Sequence, residues 1–345
     1  MTTGCLSAMP REVNPPEADG LVLPSPTTHG ELQLLDLPTE ILMAAIRFLN
    51  GKQKSELRLI SHHFETLFWS APLWKTFDHD DKRSNSLNPV LRRRVLAHCG
   101  STIRALRYSN LQHESLLQMV KGCGGLTEVA LRDVKPDVLM DAVGGLSMAG
   151  AFIKLSRLDI TMPCSRTSSY TPNTVESLLA FIGTSTPNLK ELHFMVNGFI
   201  TPMALKSLTN GCPNLESLSL SSCYLLNVTD FAILLDSPCA KNLRYLCLAQ
   251  LRFGDDLLME AIAATCTSLR VLLVHHAASL TDGGVRCLAE RLKSLRWIKL
   301  QACRNISLGV LDRHGFVNDA NCPVVYVPRW PVGFGMAYRR VPQEA

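Results

Sequence analysis

Histidine and cysteine are the residues of this chain best suited to bind a metal or to act as nucleophiles, and neither type is spaced for that chemistry. Two histidine pairs, His62-His63 and His275-His276, are adjacent in sequence, and adjacent side chains diverge on a helix or a strand. The 12 cysteines include no C-x-x-C pair, the spacing that many zinc sites share. The sequence therefore predicts no metal site.

Motifs of catalysis and of cofactor binding are also absent from the sequence. The chain has no G-x-S-x-G, G-x-x-x-x-G-K-S/T, G-x-G-x-x-G or H-E-x-x-H pattern, which would indicate acyl transfer, nucleotide binding or zinc-dependent hydrolysis. We therefore predict a protein that is not an enzyme, that holds no cofactor, and that works by binding other proteins.

The composition fits a folded protein of about two domains. Of the 345 residues, 46% are hydrophobic and 19% are charged, and the formal net charge of +5 is too small to indicate nucleic-acid binding. The densest basic run, Arg92-Arg93-Arg94, is predicted to be the exposed face of a helix. No signal peptide or membrane span is expected, so we predict reduced thiols, no membrane partner, and a cytoplasmic or nuclear location.

Residues 1–30 are rich in Pro, Thr, Ser and Gly, and we predict a disordered leader there. Residues 31–78 carry helical patterns instead, because Pro38 suits a first helical position and Asn50-Gly51 suits a helix end. Their apolar residues recur at helical spacing: Ile41, Leu42, Ala45, Ile46 and Leu49, then Leu57, Ile60, Phe64, Leu67 and Phe68. So short a segment cannot bury all of these groups, and some are expected to contact a partner.

The segment from Leu37 to Trp74 resembles the F-box family. The matching residues are Leu37, Pro38, Glu40, Ile41, Leu49, Leu57, Ile60, Phe64, Leu67, Pro72 and Trp74. The family usually has Ile or Val where Ala45 stands, and the large residue here is Ile46. The resemblance implies docking to a Skp-family adaptor, and through it to a cullin–RING ubiquitin ligase. It implies adaptor contacts at Leu37, Pro38, Ile41, Leu42, Ile46, Leu49, Leu57, Ile60, Phe64 and Trp74.

The second part of the chain repeats the pattern L-x-x-L-x-L-x-x-N/C. Full copies start at Leu189, Leu215 and Leu295, and weaker copies start at Ile103, Leu126, Leu155, Leu243 and Leu269. The starts are 23 to 34 residues apart, and most steps fit the period of leucine-rich repeats. In such a repeat the first, fourth and sixth residues point into the stack from a short strand, and a helix returns the chain. The region resembles the cysteine-containing leucine-rich repeats found behind F-boxes.

The predicted fold is therefore α/β: an all-helical F-box (31–78), a linker helix (79–98), a leucine-rich-repeat solenoid (99–327) and a C-terminal tail (328–345). Parallel strands should form the concave face of the solenoid and helices the convex face. Residues 324–327 could add a capping strand. Cysteines ahead of the strands, at positions 99, 123, 212 and 266, are predicted to be small, buried packing groups.

The concave face is the predicted target-binding surface. Its candidate residues are Arg107, Glu128, Arg132, Arg157, Asp159, Glu191, His193, Tyr245, Leu273, His275 and Trp297. The early repeats are charged, the middle is small (Ser217, Ser219 and Ser221), and the late repeats are apolar. Two hypotheses for the apolar part stay open: residues 329–338 fold over it, or a partner binds it. The three early arginines also leave a phosphate-binding role possible.

These features predict a substrate-recognition adaptor of an SCF-type ubiquitin ligase. The F-box would dock the Skp-family adaptor, and the repeats would bind an unidentified target protein, with no nucleic acid involved. The alternative is an F-box-containing interaction scaffold or inhibitor that delivers no substrate for degradation. Both functions need the same two surfaces.

Overall fold

The structure is a computed structural model. It describes residues 34, 37–80, 86–110, 122–135, 138–141, 143–144, 151–161, 171–195, 200–221, 223–251, 253–307, 309–318 and 337–340. The predicted leader (1–30) and the predicted capping strand (324–327) lie outside these residues. The chain divides into two compact units, residues 1–42 and residues 43–345.

Three short helices form the segment that resembles the F-box: α1 (Thr39–Arg47), α2 (Gly51–Leu57) and α3 (His62–Phe68). Helix α1 begins next to Pro38, whose carbonyl oxygen accepts from the amides of Ile41 and Leu42 at 3.0 Å each. Asn50, predicted to end a helix, also begins the next one. Its side chain accepts from the Gln53 amide at 2.9 Å, while Gln53 Oε1 accepts from the Asn50 amide at 3.0 Å, a reciprocal N-terminal cap.

The second unit contains one sheet of eleven strands in the order β1 to β9, then β11 and β10. Strands β1 to β9 pair in parallel. They are Thr76–Asp80, Ala105–Ser109, Glu128–Arg132, Arg157–Thr161, Glu191–Met195, Ser217–Leu220, Tyr245–Ala249, Val271–His275 and Trp297–Gln301. Strands β10 (Phe316–Asn318) and β11 (Ala337–Arg340) pair antiparallel at the far edge. The predicted α/β class and the parallel-strand solenoid are confirmed.

Six helices of at least eight residues alternate with these strands in the described part of this unit. They are α4 (Pro89–Cys99), α5 (Pro172–Ser185), α6 (Pro202–Gly211), α7 (Val228–Leu235), α8 (Asp256–Thr265) and α9 (Asp282–Arg291). Thr201 and Thr281 are the N-caps of α6 and α9. At α7 the N-cap is Asn227, whose side chain accepts from the Asp230 amide at 3.0 Å.

The core is a ladder of apolar residues that repeats from strand to strand. Leu215, Leu218 and Leu220 are fully buried, as the repeat pattern predicts, and Leu218 lies opposite Leu192 on one side and Leu246 on the other. The predicted packing cysteines are buried and form no disulfide bonds: Cys99, Cys123, Cys212 and Cys266. Burial raises the pKa of the Cys123 and Cys266 thiols to about 11, so these thiols stay protonated at neutral pH.

The repeats begin earlier than the predicted boundary at residue 99. Phe77 and His79 of β1 lie opposite Leu106 and Tyr108 of β2, so Trp74, Phe77 and His79 occupy the first, fourth and sixth positions of a repeat. The boundary was missed because Trp, Phe and His replace the three leucines. Helix α4, predicted as a linker, is accordingly the helix that joins the first two strands.

The residue after several strands adopts a left-handed backbone conformation. These residues are Asn110, Asp133, Gln250, His276 and Ala302, with φ between 53° and 61°. Each of them directly follows a strand, at the point where the chain turns. Four of their backbone amides donate to the carbonyl of the last residue of the next strand at 2.8 to 3.0 Å: Asn110, Asp133, Gln250 and His276. Ala302 has the least favourable side chain for this conformation.

None of the described helices is long and apolar enough to cross a membrane.

Helices α5 and α6 approach each other through Gly183 and Gly211, and this contact gives a test of the packing. A Cβ atom at residue 211 would overlap the carbonyl oxygen of Gly183, which is backbone and cannot move aside alone. We expect Gly211→Ala to lower the free energy of unfolding by about 1–3 kcal/mol, measured by chemical denaturation. Gly309→Ala is the control, because a Cβ there meets nothing within 4 Å. Equal stability of the two variants would contradict the packing.

Candidate functional site

The sheet face predicted to be concave carries three rows of side chains, and we call it the front face. It is defined by the residues that alternate with the buried ladder on β2 to β9. The parallel register aligns them across the strands. The middle row, for example, runs Ala130, Asp159, His193, Ser219, Cys247 and Leu273.

The early repeats hold a chain of ion pairs on the front face. Arg107 Nη2 lies 3.0 Å from Glu128 Oε1, and Arg157 Nε lies 3.9 Å from the same oxygen. Arg157 Nη1 also lies 3.3 Å from Glu191 Oε2. The two arginines and two glutamates thus alternate along adjacent strands and neutralise one another.

A second ion pair joins Arg132 and Asp159 at 3.4 Å. Asp159 is buried, and this burial raises the pKa of its carboxyl group, against the opposing effect of Arg132. Each of Arg107, Arg132 and Arg157 therefore has a carboxylate partner within the chain. A phosphate bound here would have to compete with these carboxylates. The pairing therefore disfavours the phosphate-binding hypothesis.

Two front-face histidines are buried and have ring nitrogens without a hydrogen-bond partner. Neither Nδ1 nor Nε2 of His193, nor Nε2 of His275, has a hydrogen-bond partner in the described structure. Burial lowers the pKa of each histidine to about 4, with Arg157 lowering that of His193 further and Lys299 that of His275. Both rings are therefore neutral at pH 7.

The late front face is more buried than its sequence predicts. Tyr245, Cys247 and Leu273 form a buried cluster against which Val271 packs, and Leu273 is 0% exposed. His275 is buried and Trp297 half-buried. The apolar late repeats therefore present little exposed surface, because alternation along a strand distinguishes the two faces but does not predict how far each face is buried. Ser219 of the middle row is buried as well.

One of the two open hypotheses has residues 329–338 fold over this late front face, and the described part of the C-terminal segment pairs with the edge of the sheet instead. Tyr338 pairs with Ile298 and Arg339 with Trp297, as β11 adds to the edge of β9. The remainder of the predicted covering segment, residues 329–336, lies outside the described residues. Target binding by the eleven front-face candidates stays a prediction.

The predicted adaptor-binding residues divide into buried and exposed groups. Leu42, Ile46, Phe64 and Trp74 are buried and therefore do not present a contact surface. Trp74 is held by its own surroundings, because its Nε1 donates to the Phe68 carbonyl at 2.6 Å and the Lys54 ammonium lies 5.1 Å from its ring. The predicted adaptor contacts at these four residues are therefore wrong, because the residues are core positions of the segment.

The other predicted adaptor residues reach the surface. In the first unit, Ile41 is 54% exposed and Pro38 is exposed, while Leu37 is half-buried. In the second unit, Ile60 is 68% exposed, and Leu49 and Leu57 are half-buried.

Two strongly exposed residues of this segment were not predicted: Phe48, which is 92% exposed, and Leu59, which is 72% exposed. Phe48 follows α1 and Leu59 follows α2. Each lies next to a residue of the apolar stripe, and an apolar residue just off such a stripe is the signal that would have found it.

The basic run on α4 is not uniformly exposed. Arg93 and Arg94 are exposed, as expected, but Arg92 is buried, with Nη1 lying 2.6 Å from His79 Nε2. Because a guanidinium group only donates, Nε2 of His79 is the acceptor in this contact. Within the described residues, no group of three His, Cys, Asp or Glu side chains could hold a metal ion.

Several solved structures are similar to this chain. No protein-family model matches the chain, and no curated protein matches it. The chain is similar to a chain in the crystal structure of the Rad7 and Elc1 complex in yeast, with 20% sequence identity and a TM-score of 0.37. The similarity covers 55% of this chain and 54% of that chain, so this chain spans about half the length of the one it matches.

The buried histidines predict a defined dependence of stability on pH. The pKa of His193 falls from 6.5 to about 4 on folding, so the unfolded chain binds more protons between these values. Stability that is fully present above pH 6.5 is therefore lost as the pH falls towards 4, by up to about 3 kcal/mol. We expect His193→Gln to reduce this loss, measured by urea denaturation at both pH values.

His63→Gln is the control for this pH dependence, because His63 is exposed. It should leave the loss of stability between pH 6.5 and 4 unchanged. If His193→Gln and the native chain lose equal stability over this range, His193 is not the buried neutral group described above.

Proposed function

We propose that this chain is a non-catalytic adaptor of a cullin–RING ubiquitin ligase. Its helical segment docks a Skp-family adaptor, and its repeats bind the protein to be ubiquitinated. The observation that supports this proposal best is the exposure of Phe48, Leu59 and Ile60 within a segment that resembles the F-box from Leu37 to Trp74.

The three exposed residues lie at the two ends of one short helix. Phe48 precedes α2, and Leu59 and Ile60 follow it. A helix of that length is about 10 Å long, so one partner protein can cover all three side chains. Burying each of them would contribute roughly 1.5–3 kcal/mol, and together they are sufficient to anchor an interface around a few central residues.

The repeats supply the second requirement of an adaptor, a surface for the target in the same compact unit as residues 48–60. Trp74 closes the F-box-like pattern and also occupies the first core position of the repeat stack, and it is buried. Trp74 also contacts Lys54 of α2 and Phe68 of α3, so these helices and the first repeat cannot separate without exposing it. A target held by the repeats would therefore stay close to residues 48–60, which raises its effective concentration near the ligase.

Replacing the exposed residues should abolish docking without unfolding the protein. We expect Phe48→Ser with Leu59→Ser and Ile60→Ser to reduce capture of a purified Skp-family adaptor by at least about tenfold, because three apolar contacts are lost. The melting temperature should change little, since the side chains already face solvent. Capture and melting temperature are measured on the same preparations.

A matched control uses exposed apolar residues of the repeat helices. Met203 and Leu257 are 58% and 62% exposed, and Met203→Ser with Leu257→Ser should retain full capture. Undiminished capture by the triple variant would contradict the docking assignment. A complex that forms but never shortens the lifetime of any protein bound to the repeats would favour the scaffold or inhibitor alternative.

A further inference from the structure

A row of exposed and half-buried side chains follows the edge of the sheet where the strands begin. It consists of the residue after the first core position in successive repeats, and its last five members, named the edge row, are Lys190, Glu216, Arg244, Arg270 and Arg296. Backbone hydrogen bonds join them in order, each amide donating to the carbonyl oxygen of the preceding member at 2.7 to 2.8 Å. Neighbouring members are therefore about 4.8 Å apart, the spacing of paired strands.

One carboxylate of the chain already lies between two cations of this row. Glu216 Oε1 is 3.3 Å from Lys190 Nζ, and Glu216 Oε2 is 3.6 Å from Arg244 Nε. The spacing of the row thus lets one carboxylate contact cations on both neighbouring strands. The Glu216 carboxylate therefore shows the geometry in which a carboxylate binds between two cations of the row.

The next two positions are cations without such a partner. Arg270 and Arg296 are exposed, and no side-chain ion pair or hydrogen bond of either occurs among the residues that the structure describes. The loops that lead into these strands, residues 239–244, 266–270 and 292–296, contain Lys241 and Lys293 but no Asp or Glu. Like charges on adjacent strands repel, and a carboxylate bound between the two arginines would relieve this repulsion.

An open groove of about 450 Å³ runs beside the row and is lined by both charged and amide side chains. Asn188, Asn214 and Asn242 occupy equivalent positions in three repeats, and each amide nitrogen donates to a carbonyl of the preceding repeat at 2.9 to 3.3 Å. The side-chain oxygens are acceptors that the amides of an extended peptide could satisfy. Lys190, Glu216 and Arg244 form part of the same lining.

We infer that the edge row binds an acidic polypeptide segment in an extended conformation. Its carboxylates contact Arg270 and Arg296 as the Glu216 carboxylate contacts Arg244, and its backbone lies along the groove. A polypeptide fits better than a nucleic acid, because Glu216 would repel a continuous phosphate backbone. The front-face arginines are already paired with carboxylates, so the edge row is the better site for an acidic partner. That this partner is a ubiquitination target rests on the proposed function.

The test measures binding of a fluorescein-labelled peptide of ten glutamates to the full-length chain by fluorescence anisotropy. We expect saturable binding that weakens with rising salt. Arg270→Glu with Arg296→Glu should weaken it by about tenfold or more, because attraction becomes repulsion at two positions. The control, Lys206→Glu with Arg286→Glu, changes the net charge equally on exposed helix positions and should leave the affinity within about twofold of the native chain, as expected for positions away from the site.

Three results would overturn the inference. They are no binding of the peptide by the native chain, equal weakening by both variants, and tighter binding of a single-stranded ten-nucleotide DNA than of the peptide. Capture of the Skp-family adaptor is measured in parallel and should be unaffected by Arg270→Glu with Arg296→Glu. Loss of peptide binding with retained adaptor capture therefore separates this surface from the docking residues.

Discussion

The register of the parallel strands is the constraint on which the rest of the second unit depends. Leu218 lies opposite Leu192 and Leu246, and the same alignment continues from β1 to β9. A slip of one residue would turn this leucine to the front face and bring Ser217 or Ser219 into the core. Because the apolar ladder forbids that slip, every other position of the repeat is also fixed in a row.

Fixed rows explain why charge has different consequences at two places on the same sheet. On the front face, residues of opposite sign become neighbours, and Glu128 contacts both Arg107 and Arg157. On the edge row, Arg270 and Arg296 become neighbours of the same sign. The front-face charges neutralise one another within the chain, while the edge row leaves positive charge available to a partner. The position of a cation in the repeat, rather than the total charge of the protein, decides which outcome it has.

The sequence predicts the repeats well, because three apolar positions at fixed spacing carry the signal and their burial follows directly. Leu215, Leu218 and Leu220 are core residues as expected. The sequence predicts burial less well where neighbouring elements decide whether a side chain is exposed. Leu273 has the alternation of a surface residue and is fully buried, and Arg92 lies in a basic run and is buried beside His79. Helical spacing likewise did not distinguish Phe64, which is core, from Ile60, which is exposed.

The proposed function requires that residues 48–60 and the repeats act as separate contact surfaces within the second unit. Amide hydrogen exchange of the native chain, with and without a purified Skp-family adaptor, tests this most directly. The account predicts slower exchange on adaptor addition in residues 48–60, with unchanged exchange in strands β5 to β9. Unchanged exchange in residues 48–60, or protection confined to the repeats, would contradict it.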